Sequence, residues 1–531
     1  MILRFLLTFL TSLIAVPWVV AAPPDTVRVE QGLLSGTAGK NPDVRVYRGI
    51  PFAAPPVGDL RWKAPQPPAS WQGVREAKEF SKACWQTQYP AGSIYQAKLP
   101  PLSEDCLYLN IWTGAKSPKD RLPVMVWIHG GGFTRGSGTT DAYDGENFAR
   151  KGVVLVTINY RLGIFGFFAH PALTAESEHH ASGNYALLDQ IAALEWVKKN
   201  IAGFGGNPNN VTIFGESAGS WAVNGLMASP LAKGLFQRAI GESGGLFSPM
   251  KTLPEAEKAG EHLASTLGAT QDALKTLRAK PAEELLKASD TPIASAIADG
   301  WVLPQDVQTI FEQGKQNDVP LLVGFNADEG TTLAPQGAMV TSAAFSAGIR
   351  QRYGDQADHF LKIYPSGSDS EAVLSFYAAY RDQVFGWEMR TWARLASKTG
   401  HHPVYLYYFN HRPPGPQSAR LRAFHASEIP YVFGNFIWPF PWGDADHKLA
   451  ETVSTYWVNF ARTGNPNGGG LLVSDLVKWP AYDPVKDQAL EFGDQIGPHS
   501  QVNKAGLDFF DGYYQSLRAS AGAAVPANGT K

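Results

Sequence analysis

The chain has 531 residues, with 46 basic and 48 acidic side chains for a formal net charge of −2. That balance gives no support for nucleic-acid or anionic-membrane binding, and the chain has no internal repeat and no block of like charge. With 12% aromatic residues and abundant Gly and Pro, the composition is that of a large globular chain, and an α/β fold of this size can form one domain.

Residues 1–21 have the layout of a secretory signal: Arg4, an apolar run over 5–20, then small residues. Val19-Val20-Ala21 fits a small-x-small cleavage rule, so cutting is expected after Ala21; cutting after Ala22 would put Pro23 just past the cut. Thr8, Thr11, Ser12 and Pro17 interrupt the apolar run, and no second long apolar stretch follows. The expected product is a secreted or periplasmic protein without a stable membrane span. The two cysteines, Cys84 and Cys106, suit that oxidising destination and predict a disulfide closing a small loop. Neither lies near a histidine motif, so metal binding is not expected.

Residues 124–128 form a continuous apolar run, as buried parallel strands do. The run ends at His129-Gly-Gly-Gly-Phe133. Consecutive glycines can expose backbone N–H groups to a developing negative oxygen, and Gly131 and Gly132 are the candidate donors. A phosphate-binding loop would need a lysine that is missing here. Residues 152–158 predict a second strand. Leu187, Leu188, Ile191, Leu194 and Val197 recur at helical spacing and predict an amphipathic helix.

A turn cluster over 203–210 feeds the strand 211–214. Gly215-Glu-Ser-Ala-Gly219 follows, and a helix is expected over 220–227. Strand, sharp turn and helix together form a nucleophile elbow, which lifts Ser217 clear of the sheet and aims the Ala218 N–H at the same spot. Gly241-Glu-Ser-Gly-Gly245 repeats the pattern around Ser243, but the stretch after it is broken by Pro249. Ser243 is therefore read as a supporting hydroxyl. Residues 321–326 predict a strand, and the loop beyond it offers Asp328 and Glu329 as acids. In a Ser-acid-His order the base follows, which leaves His359, His401, His402, His411, His425, His447 and His499.

Residues 252–289 and 368–394 read as helical, 436–442 as an aromatic segment broken by prolines, and 508–517 as a closing helix. The main domain is placed at 22–518, with a flexible tail at 519–531. Asn210 and Asn528 begin glycosylation sequons, relevant only in a eukaryote.

Tyr47-Arg-Gly-Ile-Pro-Phe-Ala53, Pro55-Pro-Val-Gly58, Ser103-Glu-Asp-Cys-Leu-Tyr-Leu-Asn-Ile111, the His129 run, the Asn159 and Gly183 runs, the elbow, Asp299-Gly300, Asp328-Glu-Gly330 and Tyr456-Trp-Val-Asn-Phe-Ala461 span nearly the whole mature chain. Together they resemble the type B carboxylesterases of the α/β-hydrolase fold, the group that includes the cholinesterases. The resemblance implies a mostly parallel sheet flanked by helices, with helical insertions around a gorge. It implies Glu329 as the acid and His425, in Ala423-Phe-His-Ala-Ser-Glu-Ile-Pro-Tyr-Val-Phe-Gly434, as the base, completing a triad with Ser217. Glu216 and Ser243 would stand one layer behind. It implies the ion pairs Arg61–Glu104 and Arg161–Asp189, the Cys84–Cys106 disulfide, no metal or organic cofactor, and a small-molecule ester as substrate.

Departures from the cholinesterases argue against a choline ester. Their choline-binding tryptophan has no counterpart in Ser93-Ile-Tyr-Gln-Ala-Lys98, and Pro292, Ala294, Thr332, Leu333 and Met250 stand near positions that are aromatic there. A lipase, a carbamate hydrolase or an esterase for a bulky natural product or toxin would share the same motifs, since specificity lies in the variable loops. A non-catalytic adhesion domain of the cholinesterase-like kind is the reading from another class, and it lacks triad members that are present here. The oligomeric state is not encoded in these motifs.

Overall fold

The computed structural model describes residues 26–288, 293–334, 340–468 and 476–523. The expected signal at 1–21, Pro292, the Asn528 sequon and residues 524–531 of the expected tail lie outside the described residues. The apolar runs assemble into one sheet. Its strands are β1 (Thr37–Ala38), β2 (Arg45–Pro51), β3 (Tyr108–Thr113), β4 (Leu122–Ile128), β5 (Val154–Ile158), β6 (Gly206–Glu216), β7 (Arg238–Glu242), β8 (Leu321–Asn326), β9 (Val404–Phe409), β10 (Gln488–Phe492) and β11 (Ile496–Ser500). The eleven lie in the order β11-β10-β9-β8-β7-β6-β4-β5-β3-β2-β1.

From β5 to β10 every neighbour is parallel. Antiparallel strands close both margins. Strands β5, β8 and β9 are buried along their whole length, because helices cover both faces of a parallel sheet. The topology matters for chemistry. Adjacent parallel strands β4, β6, β7 and β8 end on the same edge, so the glycine turn, Ser217, Ser243 and the Glu329 loop are delivered side by side.

Several elements differ from the sequence reading. Strand β6 begins at Gly206, inside the expected turn cluster, and its register against β4 shifts between Gly206 and Val211. The extra residues are accommodated as an irregularity, as in a β-bulge. The expected amphipathic helix, α1 (Tyr185–Asn200), is buried on nearly every side, because neighbouring helices cover the face turned away from the sheet. The closing helix runs Lys504–Ala523, past residue 517. Its last turns are anchored by Arg518, which pairs with Asp306 at 3.0 Å and donates to the Phe247 carbonyl at 2.5 Å. Residues 519–523 are therefore helical.

The implied ion pairs are present. Arg61 Nε lies 2.7 Å from Glu104, and Arg161 grips Asp189 with two donors at 2.8 and 2.7 Å. Cys84 and Cys106 form the disulfide, at a sequence separation of 22. Closing a loop of this size constrains the unfolded chain, so a Cys84→Ser/Cys106→Ser variant is expected to lose about 3 kcal/mol of stability, measured by urea unfolding. No helix among the described residues is long and apolar enough to cross a membrane.

Candidate active site

The bend at Ser217 is enforced by sterics. Strand β6 ends at Glu216 and helix α2 (Ala218–Ala228) begins one residue later, which holds Ser217 at φ 57° and ψ −123°. A Cβ on Gly219 would fall 1.9 Å from the Ile128 carbonyl oxygen, and one on Gly215 would fall 2.6 Å from the same atom. Only glycine fits at either position, so the elbow needs both. Backbone bonds fix the turn: Ser217 N–H donates to Glu242 O at 2.8 Å, and Ser217 O accepts from Trp221 N–H at 3.0 Å.

The glycine turn after β4 closes over the elbow. Gly131 and Gly132 have φ of 109° and 63°, and a Cβ on Gly130 would lie 3.1 Å from Ser217 Cβ. The N–H groups of Gly131, Gly132 and Ala218 donate to no protein acceptor among the described residues. His129, which opens the motif, is structural. It stacks on Tyr160 with ring centroids 4.4 Å apart, and its Nδ1 meets Gly130 O at 2.8 Å. Burial pulls its pKa down to about 4, so the ring is neutral.

His425 is the histidine brought to the elbow. Its Nδ1 lies 2.6 Å from Glu329 Oε2. The other oxygen, Oε1, accepts from Asn326 N–H at 2.7 Å and from Ser243 O–H at 2.6 Å, so the carboxylate is held at both ends. Asp328 turns away. It pairs with Arg422 Nε at 3.1 Å and accepts from Ala423 N–H at 3.2 Å. Five of the other six candidates are engaged elsewhere: His401 with Asp318, His411 with Asp446, His499 with Glu491, His359 against Phe509 and His447 against Phe436; His402 is exposed. Phe385, in a π-helical turn (Asp382–Gly386), packs on the His425 ring at 4.8 Å. Such a turn is not legible in helical periodicity.

His425 Nε2 stands 2.9 Å from Glu216 Oε1. That oxygen nevertheless has no aligned hydrogen bond among the described residues, so the contact is one of charge. Burial opposes the imidazolium, but the Glu216 and Glu329 carboxylates outweigh it and hold the His425 pKa well above the ordinary value.

Two further buried acids escaped the sequence reading. Burial pushes Glu242 up to about 8, with Trp457 Nε1 donating to it at 2.8 Å. Glu428, which accepts from Asn326 Nδ2, is pushed well above the carboxylate range by burial. Burial thus favours the protonated form of both. Each sits inside a motif already noted, Glu242 beside Ser243 and Glu428 after His425, and that adjacency was the only available signal.

Ser217, His425, Glu216 and the three glycines line one cavity of about 570 Å³. A family model described as Carboxylesterase family matches residues 23–510. The chain is 39% identical over 514 residues to the fumonisin B1 esterase of Sphingopyxis macrogoltabida, covering 92% of this chain and 91% of that one. It is 37% identical over 490 residues to the para-nitrobenzyl esterase of Bacillus subtilis (strain 168), covering 88% and 95%. A solved thermophilic PNB esterase superposes with a TM-score of 0.80 at 34% identity, covering 92% of this chain and 99% of that one.

The chain belongs to the carboxylesterase family.

It is a carboxylic ester hydrolase of the α/β-hydrolase fold. Within this carboxylesterase, the residues aligned with aromatic gorge positions have mixed fates. Leu333 lines the cavity. Thr332 instead hydrogen-bonds Tyr95 Oη at 2.6 Å, and Met250 Sδ accepts from Val307 N–H at 3.5 Å, away from the cavity. Ala294 packs against the core and is not part of the lining. The 93–98 segment does form a wall, with Tyr95 donating to the His425 carbonyl at 3.0 Å. Ile437 and Trp438, from the aromatic segment at 436–442, and Trp221 add apolar surface to the wall.

Proposed function

We propose that this carboxylesterase works through an acyl-enzyme on Ser217, with His425 as general base and acid and Glu329 as the group that orients it. The observation that carries the reading is the Glu329–His425 pair, whose histidine shares one cavity with Ser217 at its elbow and with the glycine turn. Ser217 Oγ attacks the ester carbonyl while His425 Nε2 takes its proton. The oxygen that becomes negative accepts from Gly131, Gly132 and Ala218 N–H. His425 then protonates the departing alcohol, and water repeats the sequence to release the acid. Glu329 Oε2 keeps the proton on Nδ1, so that Nε2 is the basic nitrogen.

The cavity volume supports a bulky ester. Fumonisin B1, the substrate in one relative's name, is the first to try. The disulfide supports export, to the periplasm or beyond the cell.

Labelling with a fluorophosphonate followed by peptide mapping tests the reading. A stoichiometric adduct on Ser217 is expected; an adduct on Ser243, or none on folded protein, would overturn it. The proposed base also fixes a pH dependence. His425 acts only when neutral, and its pKa is raised, so kcat/KM should climb with pH above the ordinary histidine value near 6.5. Glu216→Gln removes one of the charges that favour the imidazolium. The midpoint of its pH profile should move down.

A further inference from the structure

We propose that Arg135 recognises a carboxylate, so that this enzyme prefers esters carrying a free carboxylate group. The proposal rests on the serine-esterase reading above and names the substrate class of that same cavity.

Arg135 lines the cavity and belongs to the glycine turn itself. Its N–H donates to Gly131 O at 3.2 Å, and a Cβ on Gly131 would come within 3.1 Å of Arg135 Cγ. The next residue is clamped. Gly136 N–H donates to Gln86 Oε1 and Gly136 O accepts from Gln86 Nε2, both at 2.8 Å, and Gln86 is itself buried at 3% exposure. The backbone of Arg135 is thus as fixed as the oxyanion donors beside it, which is the preorganisation a recognition residue needs.

The guanidinium is held but not neutralised. Its carbon lies 4.7 Å from the Tyr89 ring centroid. Its hydrogen bonds are long, 3.4 Å from Nε to Thr134 Oγ1 and 3.5 Å from Nη1 to Gln88 O, at the outer limit of such contacts. Among the described residues it pairs with no carboxylate. An aromatic face takes one side of a guanidinium and leaves its N–H edge for a planar anion, which arginine grips with two parallel bonds. Lys98, exposed on the same wall, adds positive charge, whereas the lining acids are Asp141 and Glu216, the latter set against His425. A neutral ester has no use for an unpaired, immobilised cation here.

The carboxylate could sit on the acyl or the alcohol part, so the test has two arms, both on the full-length mature enzyme. On the alcohol side, para-(butyryloxy)benzoate is compared with para-(butyryloxy)benzamide. On the acyl side, mono-para-nitrophenyl adipate is compared with the para-nitrophenyl ester of adipamic acid. Wild type should favour the anionic member of at least one pair by about tenfold in kcat/KM, chiefly through KM and less at high salt. Arg135→Gln should bring that ratio to about one, and Arg135→Lys should restore part of it. The ratio is taken within each variant, so loss of folded enzyme does not move it.

Equal rates within both pairs for wild type, or a ratio unchanged in Arg135→Gln, would overturn the proposal. The second result is also what a cation serving only the oxyanion would give. Hydrolysis of the neutral esters that survives Ser217→Ala would instead overturn the serine reading, and this proposal with it. Neutral turnover that depends on Ser217, with flat ratios, would overturn the Arg135 role alone.

Discussion

Ser217→Ala is expected to lower kcat on para-nitrophenyl esters by roughly 10⁵–10⁶-fold, with KM changed only a few-fold. The reason is local. Ser217 sits at the start of α2 in the cavity that also holds the glycine turn and His425. Ser243, the only rival in sequence, is fully buried and its hydroxyl is committed to Glu329 at 2.6 Å. The substitution leaves the scaffold intact, because the elbow is held by the backbone bonds of residue 217 to Glu242 and Trp221. Steady-state kinetics on variant and wild type would check this, together with loss of the fluorophosphonate adduct. A residual rate within about tenfold of wild type would mean that the nucleophile lies elsewhere.

Glu329→Gln is expected to lower kcat by about 10⁴-fold while the protein folds normally. The carboxylate has two tasks on opposite oxygens. Oε1 accepts from Asn326 N–H and Ser243 O–H, and Oε2 accepts from His425 Nδ1. An amide has one acceptor oxygen. If that oxygen serves the two donors, the NH₂ group faces Nδ1 and forces the ring proton onto Nε2, which can then no longer act as base. If it serves His425, the NH₂ group meets two donors in a buried site, at a cost that favours the first orientation. Ser243→Ala removes only one of those donors and should cost far less, about tenfold. Comparing the two variants on one substrate separates the charge at 329 from its positioning.

Much of the fold could be read along the chain because local chemistry dictates it. Continuous apolar runs at 124–128 and 321–326 become fully flanked parallel strands, as their lack of alternation requires. Gly215 and Gly219 betray the elbow because no Cβ fits beside Ile128 O. The cysteine pair declares its own loop. Other features depended on distant partners. The same Gly-x-Ser-x-Gly pattern bends the backbone twice, at φ 57° for Ser217 and φ 54° for Ser243. Only the packing of β8 against β7 turns the second hydroxyl into a partner of Glu329.

Composition could not pick one histidine from those that follow Glu329; a family motif did so, and the geometry behind it joins residues 96 apart. Asp328 and Glu329 are neighbours of one charge type, and what separates them is that Arg422 and the Ala423 N–H draw Asp328 away. The environment of Glu242 and Glu428 was equally hidden, since burial first and neighbouring carboxylates second, not sequence, push them toward the protonated form. By itself, then, the sequence determined the central strands around 124–128, 152–158, 211–214 and 321–326, the glycine turns and the elbow at Ser217, which follow from side-chain periodicity and backbone sterics within a few residues. The tertiary structure decided how Glu329 and His425 are brought together, which carboxyls are pushed toward the neutral form and which cation stays unpaired, because those depend on strand register and on distance from water.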